Sequence, residues 1–125
     1  MTEDIDKRIT RILYILNALN ISFERQYTFA DLRFVNPLMF DFAIKENSKL
    51  VCLIEYQGIQ HYEEQKNGMG WFVRNISDPM KKTYCNIKNI PLFEIKYNED
   101  IRRKLFEILT KMHVNFVPSS EIEKV

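Results

Sequence analysis

A chain of 125 residues that is 46% hydrophobic and 28% charged, with 3 Gly and 4 Pro, can bury one core and has the composition of a folded domain, which excludes a disordered or fibrous protein. A net charge of +1 neither announces a nucleic-acid binder nor excludes one, because acids gathered at a metal site can mask a basic face elsewhere. Cys52 and Cys85 lack CxxC spacing and read as reduced core thiols, the longest apolar run (LVCLI) is far too short to span a membrane, and MTEDIDKRIT carries no apolar leader core, so a cytoplasmic protein is expected.

In chain order, Ile5, Ile9, Ile12, Leu13, Leu16 and Leu19 fall at helical spacing and predict an amphipathic helix over 3–19, with Thr2 as its N-cap and Asn20 as its stop. ISFERQYTF (21–29) has a strand composition and predicts an edge strand, with 30–37 as a loop. LMFDFAI (38–44) and KLVCLIEYQ (49–57) are apolar on both faces and separated by the polar turn ENS, which predicts an antiparallel hairpin in the middle of a sheet.

Residues 59–75 contain Gly68 and Gly70 and predict a loop with some helix near its start. Asp78 followed by Pro79 predicts a capped helix over 79–89, PLFEIKY (91–97) a further strand, and Asn98 the cap of a last helix whose Ile101, Leu105, Ile108 and Leu109 share a face. The tail from Asn115 onward reads as loosely held. The expected architecture is a single domain of mixed α/β (α+β) class, a mixed sheet flanked by helices.

The central hairpin carries two carboxylates, Asp41 and Glu55, and a carboxylate inside an apolar strand is costly unless it is paired, hydrogen-bonded or bound to a cation. With the turn centred near residue 47 or 48, Asp41 lies opposite a residue between 53 and 55, so the two acids are direct or diagonal neighbours. Like charges that close favour a divalent metal, and Gln57, two residues beyond Glu55, points to the same face.

FDF, a turn, then IEYQG followed by QH resembles the core of the PD-(D/E)XK nuclease superfamily, and most of all its small branch of very-short-patch-repair and phage homing endonucleases. SDPMKKTYCNIKNIPLFEIKY resembles that branch's D-x-x-K helix and closing strand, so the likeness covers about residues 21–97, with the N-terminal helix and a C-terminal helix over 98–113 outside it. The resemblance implies a restriction-endonuclease-like fold and a metal-dependent endodeoxyribonuclease. It maps Mg²⁺ ligation onto Asp41 and Glu55, with the Tyr56 backbone carbonyl as third ligand, a catalytic part onto His61, and charge stabilisation onto Lys81.

The usual motif ends in Lys; here stands Gln57, whose amide can orient a water but cannot accept its proton. Hard oxygen ligands suit Mg²⁺, or Mn²⁺ in its place, and no Cys/His cluster points to zinc. Glu24 is a candidate acid for a second metal, or an exposed strand residue. Asp78 is accounted for as a helix cap, His113 with Arg102, Arg103 and Lys104 as a solvated helix face, and Trp71 and Phe72 as packing residues.

DNA is the expected partner, and one metal site cuts one strand, so duplex cleavage calls for a homodimer or another subunit. Two alternatives remain open at this stage. One is a nuclease-fold nucleic-acid-binding or assembly module without catalysis; the other is a nuclease directed to RNA or to a nucleic-acid structure.

Overall fold

A computed structural model of the chain describes residues 2–58 and 71–117. Helix α1 (Thr2–Ala18) is followed by strands β1 (Ser22–Arg33), β2 (Pro37–Glu46) and β3 (Lys49–Gln57). A π-helical turn (Val73–Ser77) then runs into helix α2 (Asp78–Lys88), strand β4 (Leu92–Lys96) and helix α3 (Ile101–Lys111).

The sheet has the order β1-β2-β3-β4, antiparallel from β1 to β3 and parallel between β3 and β4. It is therefore mixed, and among the described residues three helices flank it. β2 and β3 are the interior strands, as their two-sided apolar composition requires. The hairpin joining them turns at Asn47 and Ser48, with φ of 52° and 66°; two successive left-handed residues make the tight turn whose twist matches the flanking strands.

Two apolar layers sandwich the sheet. On one face α1 and α3 bury Ile12, Ile15, Leu16, Leu105 and Leu109 against Phe42, Ile44, Cys52, Ile54 and Ile95. On the other, α2 brings Cys85, Met80 and Tyr84 against Phe40, Ala43, Leu53, Leu32 and Leu38. Both thiols are free and buried. Burial pushes Cys52 up to about 12 and Cys85 up to about 11, so neither is a ready nucleophile.

The helices share one way of stopping. Asn20, Asn89 and His113 each adopt a left-handed conformation, and the next residue's amide reaches back to a carbonyl of the last turn: Ile21 to Leu16 at 3.0 Å, Ile90 to Cys85 at 2.8 Å, Val114 to Leu109 at 3.0 Å. Asn20 thus stops α1 as expected, and His113 is a backbone cap rather than part of a solvated helical face.

Several boundaries depart from the sequence reading. β1 continues through Ala30, Asp31, Leu32 and Arg33, where a loop was expected; Leu32 is buried in the α2-side layer and supplies the anchor. The chain is helical from Trp71, ahead of the expected start, because the π-helical turn joins α2 without a break. Consequently Asp78 is not an N-cap: the residue before α2 is Ser77, itself helical, and it makes no capping bond through its side chain. The last helix is capped by Asp100, whose carboxylate accepts from the Arg103 amide at 3.0 Å, and not by Asn98.

Candidate functional site

β2 and β3 pair in a register that runs Ala43↔Leu53 and Phe42↔Ile54, so one step further sets Asp41 across from Glu55. At that step the regular ladder ends. The Tyr56 amide donates not to a β2 carbonyl but to Asp41 Oδ2, at 2.7 Å. The side-chain alternation of β2 breaks at the same place, since Phe40 packs in the α2-side layer and Phe42 in the opposite one. On β1, Gln26 lies between the pairs Arg25↔Phe42 and Tyr27↔Phe40, facing Asp41, and has a φ of 51°. A left-handed conformation without glycine is costly, so β1 carries backbone strain at the rung that faces the first candidate acid.

Glu55 is 7% exposed, and its partner is Lys81, 8% exposed, from the first turns of α2. Lys81 Nζ donates to both Glu55 oxygens, at 3.1 and 3.0 Å, and stands 5.1 Å from the Phe40 ring centre. Burial pushes the Glu55 carboxyl up to about 7; Lys81 opposes that rise, while the charges of Asp41 and Asp78 add to it. The Asp41 carboxyl is also raised, by burial first, against the pull of the Tyr56 amide and the Lys81 charge.

Both acids sense Asp78, a buried carboxylate on the same helix as Lys81. With its capping role gone, Asp78 belongs to this cluster. Lys81 is the one buried cation among the described residues, and the Arg25 charge also acts on Asp41. The Asp41 charge adds to the rise at Glu55, and a divalent cation between the two carboxylates would remove that repulsion.

Gln57, 4% exposed, completes the face. Its Nε2 donates to Glu94 Oε2 at 3.1 Å, and its Oε1 is buried with no hydrogen-bond partner. A buried amide oxygen left without a donor is costly, and a water or ligand at the site would satisfy it. Glu94 is half-buried on β4, in register with Glu55 (Glu55↔Glu94), and Lys82 Nζ lies 3.7 Å from it.

The predicted site residues thus divide into those brought together and those not. Asp41, Glu55, Gln57 and Lys81 share the α2 face. Tyr56 gives the site its amide, while its ring lies under the Arg8 guanidinium, 5.5 Å away. Glu24, exposed on β1, is taken by Lys45 at 2.6 Å and does not join the others. His61 lies outside the described residues. Asp78 and Glu94 were missed: a sufficient local cause hid the first, and the second needed the parallel β3–β4 register, which carries no local signal.

As a metal site the donor chemistry fits. Carboxylate and carbonyl oxygens suit Mg²⁺, which binds through one or two carboxylates and keeps several waters. Among the described residues no three His, Cys, Asp or Glu side chains are grouped to hold an ion by themselves, so waters or substrate oxygens would have to complete the shell. The Lys81 ammonium now bonds both Glu55 oxygens, and an ion would have to share them with it.

Among the described residues no helix is long and apolar enough to cross a membrane. No protein-family model, curated protein or solved structure matches the chain.

Proposed function

We propose that the chain is a Mg²⁺-dependent endodeoxyribonuclease with a restriction-endonuclease-like core, hydrolysing phosphodiester bonds at the Asp41/Glu55 face. The observation that carries this reading is the pair of carboxylates at the end of the hairpin, Asp41 set across from Glu55 and both raised by desolvation, beside a buried Gln57 oxygen with no donor. Two desolvated carboxylates facing each other repel, and a divalent cation held between them removes that repulsion.

In this reading Asp41 and Glu55 hold the ion, with the Tyr56 carbonyl as third ligand. When bound there, Mg²⁺ would supply a water of lowered pKa and a Lewis acid for the phosphate. Gln57, clamped through Nε2 by Glu94, presents Oε1 as an acceptor and so orients the attacking water without taking its proton. Lys81 is charged and desolvated beside the ligands, where its ammonium stabilises negative charge growing on phosphate oxygens. His61, three residues after Gly58 in the sequence, is the proposed proton carrier.

A second reading has its own observation. Lys81 already bonds both oxygens of Glu55, as it would in a nuclease-fold binding module that uses the lysine in place of the ion. Incubation of the protein with supercoiled plasmid and single-stranded DNA, with Mg²⁺, Mn²⁺ or chelator, separates the two. The nuclease reading expects metal-dependent cutting lost in Asp41→Asn and Glu55→Gln. Binding without cutting under any metal favours the module, and cutting that survives both substitutions overturns the site.

A further inference from the structure

An open cleft of about 510 Å³ lies beside the candidate site, between α2, β4 and the start of α3. Three lysines from three different elements line it: Lys82, Lys96 and Lys104. So do Glu94, Glu99 and the half-buried Leu92. Glu94 belongs to both places, since it lines the cleft and clamps Gln57. Lys96 is paired with Gln57 across the parallel β3–β4 register, so a ligand in the cleft adjoins the Glu55 face.

We propose that this cleft seats the phosphate backbone of a nucleic-acid strand leading away from the scissile bond, with Lys82, Lys96 and Lys104 as its phosphate contacts. The proposal rests on the nuclease reading for what happens at the strand's other end. The lysines are available for trade: Lys82 stands 3.7 Å from Glu94 and Lys104 3.5 Å from Glu99, loose and partly exposed pairs of the kind that contribute little. The two carboxylates keep other donors when the lysines turn away. Glu94 holds Gln57 Nε2 at 3.1 Å, and Glu99 accepts the Lys96 amide at 2.8 Å, which holds its carboxyl below the usual range.

A mixed lining suits a nucleotide unit better than a bare anion. Leu92 and Ile90 offer an apolar surface to a sugar or base face, while the lysines project from the surrounding elements towards phosphates. The near-neutral net charge of the whole chain conceals this local grouping.

The test is the salt dependence of binding, read by fluorescence anisotropy in chelator so that nothing is cut, on a labelled single strand and on the matching duplex. For each of Lys82→Ala, Lys96→Ala and Lys104→Ala the slope of log affinity against log salt should fall by roughly 0.7 on the single strand or roughly 0.9 on the duplex. The form whose slope falls by its own expected amount, while the other's stays unchanged, is the one the cleft holds. Lys49→Ala, at the far hairpin turn, should leave the slope unchanged.

An unchanged slope in the triple variant, or a wild-type protein that binds neither strand nor duplex, overturns the proposal. Cutting by wild type with slopes insensitive to the three lysines overturns the cleft and leaves the nuclease reading standing. Slopes that fall as expected in a protein that does not cut, whichever metal is supplied, support the cleft and count against catalysis.

Discussion

Lys81 Nζ lies 3.0 Å from Glu55 Oε2 and 3.1 Å from Oε1, and both side chains are about nine-tenths buried. The pair joins the first turns of α2 to the end of β3 and neutralises one acid of the cluster. Removing the lysine alone leaves Glu55 buried and unpaired beside two further carboxylates. Lys81→Met should therefore cost about 3–5 kcal/mol at pH 8, measured by urea denaturation. The double variant Lys81→Met/Glu55→Leu should recover most of that loss, since no charge is then stranded.

The same burial sets a pH dependence. Glu55 has an ordinary value of 4.5 and is pushed up to about 7 in the fold, so the folded state binds a proton more tightly than the unfolded one. Its contribution is fully present below pH 4.5 and is lost as pH rises through 7. In chelator, the melting temperature of wild type should fall between pH 5 and 8 relative to Lys81→Met/Glu55→Leu. A parallel course of the two curves over that window would contradict the assignment.

Asp41 has a structural task as well as a chemical one, since its carboxylate is the acceptor for the Tyr56 amide where the β2–β3 ladder ends. Asp41→Asn keeps an oxygen for that bond and should fold with near-native stability. Asp41→Ala strands the amide and should cost about 1–3 kcal/mol. Denaturation midpoints of the two variants in chelator check the difference; equal midpoints would show that the bond contributes nothing.

The turn that sets the hairpin register holds Ser48 at a φ of 66°. Only glycine takes that conformation without steric cost, so Ser48→Gly should stabilise the fold by up to about 1 kcal/mol without moving Asp41 relative to Glu55. A lower urea midpoint in Ser48→Gly would contradict the turn geometry.

Legibility in the sequence followed the range of the interactions involved. Asp41 and Glu55 could be set opposite each other because a short polar turn between two apolar runs fixes antiparallel register locally, and Gln57 followed from strand alternation. Glu94 could not be found that way: its place next to Glu55 depends on a parallel pairing across about forty residues of intervening chain. Asp78 before Pro79 has every local mark of a helix cap, yet the chain upstream is already helical, so Ser77 and not Asp78 stands at the cap position, and the charge of Asp78 acts on Asp41 and Glu55. The extension of β1 through Arg33 likewise comes from Leu32 finding a place in the core, not from its own polar neighbours.

The central claim is that Asp41 and Glu55 form a divalent-cation site, and direct titration of the protein with Mn²⁺, followed by the electron spin resonance of the free ion, tests it without relying on cleavage. The account predicts saturable binding that weakens as pH falls below 7, where protons compete for Glu55, and that is lost in Asp41→Asn and in Glu55→Gln. Binding of undiminished affinity in both variants, or no binding by the folded wild type at pH 8, would contradict it.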